Sequence, residues 1–327
     1  MTSGSIDPIR SARLIVRRLL AVKPGEQVAI VCDPQSEMEM AYILARVIEG
    51  EDAEYTILIM PTREQTRAND LTSVIEKGLE GADCLIGMTA SSGAPTYSST
   101  VKQLYNAKKL RTISMVFRNM NHFTCGGALA DYDALYADGQ KLASLWRLSR
   151  IMNITTPAGT DIRAPIASDH VIVECGFATE PGEEAAFSDG EVSSRPLETT
   201  AEGVIVVDGP ICYVGVPDSP ITVRVSQGKV TSVEGDSLQA EQLRHIVQTI
   251  ENADNIAEFG VGLNPCSLHN GDFEEEKKAR GLVHIAIGDN VFYGGHTRSA
   301  VHMDMVLYRA TVHLDDHVIV EEGVVRL

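Results

Sequence analysis

The chain has 327 residues, of which 28 are basic and 45 are acidic, so its formal net charge is −17. This length is sufficient for two domains, and a hydrophobic fraction of 44% with a charged fraction of 22% is typical of a soluble globular protein. The excess of negative charge argues against nucleic acid or an anionic membrane as a partner, and no stretch approaches the roughly 20 apolar residues of a membrane span.

The N-terminal segment is amphipathic and lacks the layout of a signal peptide, and the six cysteines have no regular spacing. Both features predict a cytoplasmic protein with reduced thiols. Beyond this segment, apolar runs alternate with amphipathic runs. Strands are predicted at 26–33, 53–61, 82–90 and 111–117, and helices at 36–50, 70–81, 99–110 and 131–153. The alternation indicates an α/β domain with a parallel sheet over residues 1–153.

The pattern changes after Asn153. Short β-like runs separated by Gly, Pro, Asp and Asn dominate from there to the C-terminus, and one helix is predicted at 237–253. We therefore expect a second, β-rich α+β domain over residues 154–327. The acidic residues are dispersed apart from "DFEEEKK" at 272–278, and this distribution predicts a solvated acidic surface and no disordered tail.

The stretch "SAVHMDMVL" at 299–307 places His302 and Asp304 two residues apart in an apolar run. Side chains at i and i+2 of a strand point to the same face, so one imidazole and one carboxylate converge. Burying such a pair is costly without compensation, which a metal ion supplies. A buried His–Asp hydrogen bond is the alternative interpretation.

Other polar residues of the second half also lie in apolar surroundings. Two histidines with several carboxylates are the right ligands for one or two divalent metals with mixed nitrogen and oxygen donors. The further candidates are Glu174, Glu191, Glu258 and His284. Arg298 in "YGGHTRS" is a candidate for holding a substrate carboxylate through two parallel hydrogen bonds, and His296 in the same loop is a candidate pocket residue.

Eight segments between 155 and 327, among them "TPAGTDIR", "GFATEPGE", "IAEFGVGLNP" and "GGHTRSAVHMDMVL", resemble the thermophilic metallopeptidase family typified by aminopeptidase T. The resemblance implies a homodimer with two metal ions per site, of zinc, cobalt or manganese. Matched by motif, their ligands would be Glu191, Glu258, His284, His302 and Asp304. A tyrosine that the family places seven residues after the first histidine is Val291 here, and Tyr293 lies close by.

The same C-terminal half is also similar to the Fe(II)-dependent 2,5-dihydroxypyridine 5,6-dioxygenases, including the pattern from Glu174 to Gly182. That resemblance implies one iron held by two histidines and an aspartate. His302 and Asp304 match two of these ligands, whereas the first histidine falls on Glu258. The family's catalytic-base histidine falls within "EEAAF", which contains none. The set can still be completed as His284, His302 and Asp304.

These observations predict a metalloenzyme with a small-molecule substrate and its site in the β-rich domain. The five-residue ligand set favours an aminopeptidase-like hydrolase that cleaves a small amide with a metal-activated water. Glu174, Glu191 and Tyr293 are its candidate catalytic residues. The alternative is an Fe(II)-dependent, extradiol-type dioxygenase that cleaves a hydroxylated, pyridine-like ring.

Overall fold

The structure of the protein is a computed structural model, which describes residues 5–63, 70–90, 95–115 and 119–327. The chain forms two compact units. One contains Met1–Tyr132 with Cys175–Asp189, and the other contains Asp133–Glu174 with Gly190–Leu327. The boundary predicted at residue 153 lies inside the second unit. Among the helices in the described ranges, none has the length and apolar character needed to cross a lipid bilayer.

The described helices are α1 Pro8–Arg13, α2 Met38–Glu49, α3 Ser73–Leu79, α4 Ser99–Asn106, α5 Asn121–Thr124, α6 Tyr132–Leu148, α7 Leu238–Thr249 and α8 Phe273–Glu276. The strands of the first unit are β1 Gln27–Cys32, β2 Glu54–Ile59, β3 Cys84–Gly87, β4 Arg111–Ser114 and β8 Glu184–Ala186. Those of the second unit are β5 Ile151–Thr155, β6 Asp161–Pro165, β7 Ile172–Glu174, β9 Glu191–Ser194, β10 Glu202–Val207, β11 Ile221–Ser226, β12 Lys229–Glu234, β13 Ile256–Gly262, β14 Val283–Gly288, β15 His302–Leu307, β16 Thr311–Leu314, β17 His317–Glu321 and β18 Val324–Val325.

The first unit contains the predicted parallel sheet, in the order β2-β1-β3-β4-β8. Its inner strands β1 and β3 are almost entirely apolar, as is typical of a parallel sheet that helices cover on both faces. Val31, Leu85 and Leu79 belong to one buried cluster between strands and helices. The fifth strand, β8, was not predicted. It comes from the segment Cys175–Asp189, which returns to this unit and pairs with β4.

Several predicted elements extend beyond the observed ones at their ends. The helix predicted at 131–153 ends at Leu148, because Ile151–Thr155 pairs with β6 and β16 as a strand. An apolar run that follows a helix without Gly or Pro cannot be assigned from periodicity alone. The last two residues of the strand predicted at 111–117 lie outside the described residues.

The second unit contains two antiparallel sheets, in agreement with the predicted β-rich half. The eight-stranded sheet has the order β12-β11-β10-β6-β5-β16-β17-β18. The five-stranded sheet has the order β15-β14-β13-β9-β7. One face of the smaller sheet is apolar and buried, and includes Val192, Phe259, Ile285, Met303 and Met305. The opposite face carries the polar candidates.

Candidate metal centre

Register brings the candidate residues to one face of the five-stranded sheet. Cross-strand partners share a face, as do residues two apart on a strand. The pairs that matter are Glu174 with Glu191, Glu191 with Gly262, Gly260 with His284, Ala286 with Asp304, and Gly288 with His302. Glu258 is two residues from Gly260 and therefore joins them. All five strands of the sheet thus present polar side chains to one region of this face.

Small residues on this face leave room for the large ones. A Cβ atom on Gly260 would lie only 2.0 Å from Nε2 of His284, so the imidazole occupies the space that any side chain at this position would fill. On β14, Ala286 and Gly288 are the cross-strand partners of Asp304 and His302, so small residues lie beside these larger side chains. The absence of bulky neighbours lets the polar groups meet across the strands.

Glu258 lies at the centre of the cluster and reaches both histidines. Its Oε1 is 3.3 Å from Nε2 of His284, and its Oε2 is 3.0 Å from Nε2 of His302. Nε2 of His302 is also 3.5 Å from Oδ1 of Asp304, and Nε2 of His284 is 3.4 Å from Oε2 of Glu191. Two groups of potential metal ligands result, and they share Glu258: Glu191 with Glu258 and His284, and Glu258 with His302 and Asp304.

His302 is oriented by its second ring nitrogen. Nδ1 lies 2.7 Å from the backbone carbonyl oxygen of Asp289, to which an N–H at Nδ1 donates. This leaves Nε2 directed at Glu258 and Asp304, where a protonated Nε2 donates to Glu258 and a deprotonated Nε2 would present its lone pair to a metal. The ring of Tyr293 stacks on the imidazole, with 5.4 Å between ring centroids and 21° between planes.

The charges of the cluster depend on one another. Burial raises the pKa of the Glu258 carboxyl and Asp304 raises it further, but hydrogen bonds with His284 and His302 outweigh both, so the pKa lies below its ordinary value. Burial also raises the pKa of Asp304, but Lys277 and His302 hold it well below the usual range. Both carboxyl groups are therefore ionised at neutral pH, as metal ligands must be.

The structure corrects the interpretation of the acidic run at 272–278. Glu275 and Glu276 are buried, because their carboxylates accept hydrogen bonds from the backbone N–H groups of Leu268 and Gly271. The lysines that follow are not solvated either. Lys277 lies 3.2 Å from Asp304, and Lys278 lies 3.0 Å from Glu191.

Sequence reasoning missed these two lysines, since a mixed charged run is typically exposed. The cause of their burial is distant in sequence. A Cβ atom on Gly262 would lie 2.3 Å from the carbonyl oxygen of Ala279 and 2.9 Å from that of Lys277. Glycine at this position in β13 thus lets the lysine-bearing segment lie directly against the sheet.

The remaining candidates occupy two different environments. Glu174 is buried beside the cluster, with Oε2 4.0 Å from Nζ of Lys278. His296 and Arg298 are exposed on the loop between β14 and β15. The backbone of this loop is held in place, since the N–H of His296 donates to Glu198 and the carbonyl of Arg298 accepts from Asn252. A role for these two side chains in substrate binding stays a prediction.

Residues 14–327 match the family model of 2,5-dihydroxypyridine 5,6-dioxygenase, NicX. Because the match extends over nearly the whole chain, the protein belongs to this family. It is 28% identical over 194 residues to 2,5-dihydroxypyridine 5,6-dioxygenase of Pseudomonas putida. That alignment covers 55% of this chain and 55% of the relative, so the chain spans little more than half the length of the curated relative it matches.

Two solved structures share the fold. The 2,5-dihydroxypyridine dioxygenase of Pseudomonas putida KT2440 has a TM-score of 0.80 at 20% identity, and the comparison covers 98% of both chains. Wild-type AmpT from Thermus thermophilus has a TM-score of 0.70 at 15% identity, with 98% of this chain and 99% of AmpT covered. The predicted resemblance is confirmed: the family match shows the relationship to the dioxygenases, and AmpT shares the fold.

Proposed function

We propose that the protein is an Fe(II)-dependent dioxygenase that cleaves the ring of a hydroxylated, pyridine-like aromatic compound. The observation that carries this proposal is the family match over residues 14–327, together with a half-buried His302 beside the buried Asp304 on the sheet face that the match includes. The aminopeptidase-like hydrolase that the ligand types favoured is supported only by a shared fold with AmpT.

Three side chains would hold the metal: His302 through Nε2, Asp304 and Glu258. The fit rests on the hydrogen bond that orients His302 and on the ionised state of the two buried carboxyl groups. This set has one histidine and two carboxylates, where the related dioxygenases use two histidines and one carboxylate. Bound Fe(II) would supply the activation of oxygen.

The other side chains of the face would handle protons and position groups. Glu174 is a buried carboxylate beside the ligands, placed to accept a proton that the hydroxylated substrate releases, whereas Glu191, which pairs with Lys277 and Lys278, would position that group. Tyr293 stacks on His302 and so keeps the imidazole plane in one orientation. His296 and Arg298 would contact the substrate from the loop between β14 and β15.

A second candidate function is hydrolysis of a small amide by a pair of metal ions. One observation favours it: Glu258 belongs to both ligand groups and would bridge two ions through its two oxygens. In that case the pair would lower the pKa of a bound water and polarise the scissile carbonyl. In either case we propose a small-molecule substrate and a homodimer in the cytoplasm.

The test is to reconstitute the chain anaerobically with Fe(II) or, separately, with Zn²⁺, Co²⁺ or Mn²⁺. We expect oxygen uptake with 2,5-dihydroxypyridine in the Fe(II) form alone. His302→Ala should abolish that uptake and weaken Fe(II) binding by more than the roughly 10- to 100-fold that loss of an outer-shell partner costs. His317→Ala, on the exposed end of β17, is the matched control. Amide hydrolysis without oxygen uptake would decide for the second candidate.

A further inference from the structure

Two lysine side chains are buried in the carboxylate face of the five-stranded sheet. The side chain of Lys277 is 13% exposed and that of Lys278 is 6% exposed. They follow α8 directly and lie against the sheet where Gly262 leaves space. Lysine is rarely buried unless it is paired, because removing an ammonium group from water is energetically costly.

The two ammonium groups converge on Glu191. Nζ of Lys278 lies 3.0 Å from Oε1 of Glu191, and Nζ of Lys277 lies 3.7 Å from the same oxygen. Lys277 also lies 3.2 Å from Asp304, and Lys278 lies 4.0 Å from Glu174. Glu191 therefore already has two protein cations beside the oxygen that does not face His284.

The histidines of the two ligand groups differ in the hydrogen bonding of their Nδ1 atoms. Nδ1 of His302 is fixed by the carbonyl of Asp289, as a metal-ligating histidine requires. Nδ1 of His284 is buried and has no hydrogen-bond partner among the residues that the structure describes. Only the group that contains His302 thus has an oriented imidazole and a position without two competing ammonium groups.

The balance of buried charge also limits how many metal ions the face can hold. The face carries four buried carboxylates, and the two lysines compensate two of them. Two negative charges remain when both histidines are neutral, and one divalent cation balances them. A second divalent cation would give the buried cluster an excess of positive charge, which is costly in a low-dielectric surrounding.

We infer that Lys277 and Lys278 take the place of a second metal ion, so that the face binds a single divalent cation through Glu258, His302 and Asp304. The lysines are then positioning residues that hold the carboxylates of Glu191 and Glu174 beside that cation. This inference rests on the metal-binding part of the proposed function, and it excludes the two-metal pair that the second candidate needs.

The experiment counts Mn²⁺ ions per full-length chain by equilibrium dialysis after removal of bound metal. We expect about one Mn²⁺ in the wild type, about two in Lys278→Met, and about one in Lys278→Arg, which keeps the charge. Lys278 is the informative lysine because its ion pairs are with Glu191 and Glu174, whereas Lys277 also pairs with Asp304. Lys141→Met, at an exposed position of α6, is the matched control and should bind as the wild type does.

Two Mn²⁺ in the wild type would overturn the inference, and so would a count of one in a folded Lys278→Met chain. The wild-type count decides by itself if Lys278→Met does not fold. Oxygen uptake by the Fe(II) form separates this result from the proposed function, because a two-metal wild type that still consumes oxygen keeps the dioxygenase. A wild type that binds no metal would overturn both.

Discussion

The two compact units bury charge in different ways. In the first unit, the guanidinium of Arg111 donates to both carboxylate oxygens of Glu26, at 3.0 and 2.6 Å, and to the carbonyls of Leu20 and Ala21. Each charge in that cluster has a partner of opposite sign. In the second unit, four carboxylates share one sheet face with two ammonium groups.

The difference separates a structural ion pair from a site. A closed pair with bidentate geometry stabilises its unit and leaves no unbalanced charge for a ligand to neutralise. In the second unit the carboxylates lie beside two lysines and two histidines, and a metal ion can replace the protons of those histidines, so the same residue types form a binding site. We therefore expect a substitution in the ion pair of the first unit to lower stability without changing the stabilisation by metal. A substitution in the site of the second unit should remove the stabilisation by metal.

The largest effect is expected from Arg111→Met. The substitution leaves the Glu26 carboxylate largely buried without its partner, which should reduce the free energy of unfolding by about 3 kcal/mol. Urea denaturation measures this loss. Arg46→Met removes an exposed pair with Glu49 on α2 and should cost less than about 0.5 kcal/mol. Equal losses in the two variants would contradict the structural role of the buried pair.

A smaller effect is expected from adding metal. Saturation with Mn²⁺ at about 100 times its dissociation constant should raise the free energy of unfolding by about 2.7 kcal/mol. The gain should be the same in Arg111→Met, because the pair and the metal face belong to different units and have no ligand in common. His302→Ala should lose the gain. If Arg111→Met loses it as well, the two clusters are coupled.

The smallest effect is expected from acidification, which should weaken the stabilisation by the Glu26–Arg111 pair of the first unit. Burial raises the pKa of Glu26, but its hydrogen bonds with Arg111 outweigh this and hold the pKa below the ordinary value of 4.5. A lowered folded-state pKa stabilises the protein above about pH 4.5, and this contribution disappears as the pH falls through the folded pKa. The stability difference between wild type and Glu26→Gln should thus be constant from pH 7 to 5 and shrink below pH 4.5. A difference that grows on acidification would reverse this assignment.

Local patterns were sufficient for much of the fold. The parallel sheet followed from apolar runs separated by amphipathic helices, and α2 shows why: Met40, Leu44 and Ile48 recur at helical spacing and are buried. The same patterns failed where pairing partners are distant. Ile151–Thr155 became a strand through its pairing with β6 and β16, and β8 joined the first unit although its sequence lies in the β-rich half.

The candidate site shows the same division. Spacing alone predicted that His302 and Asp304 share a face, and the register confirms it. The placement of Glu258 and His284 beside them depends on pairing with β13 and β14, and was suggested by their apolar surroundings and by family resemblance. Lys277 and Lys278 carried no local signal, because a charged run of this kind is solvated in most proteins.

The sequence by itself determined the fold class, the apolar periodicity and the convergence of one histidine with one aspartate, because these depend on the geometry of a single strand or helix. The tertiary structure alone decided which strands are neighbours, which glycines leave space for His284 and for the lysine segment, and how the buried charges balance. These properties depend on contacts between residues far apart in the chain, and a local pattern contains no information about them.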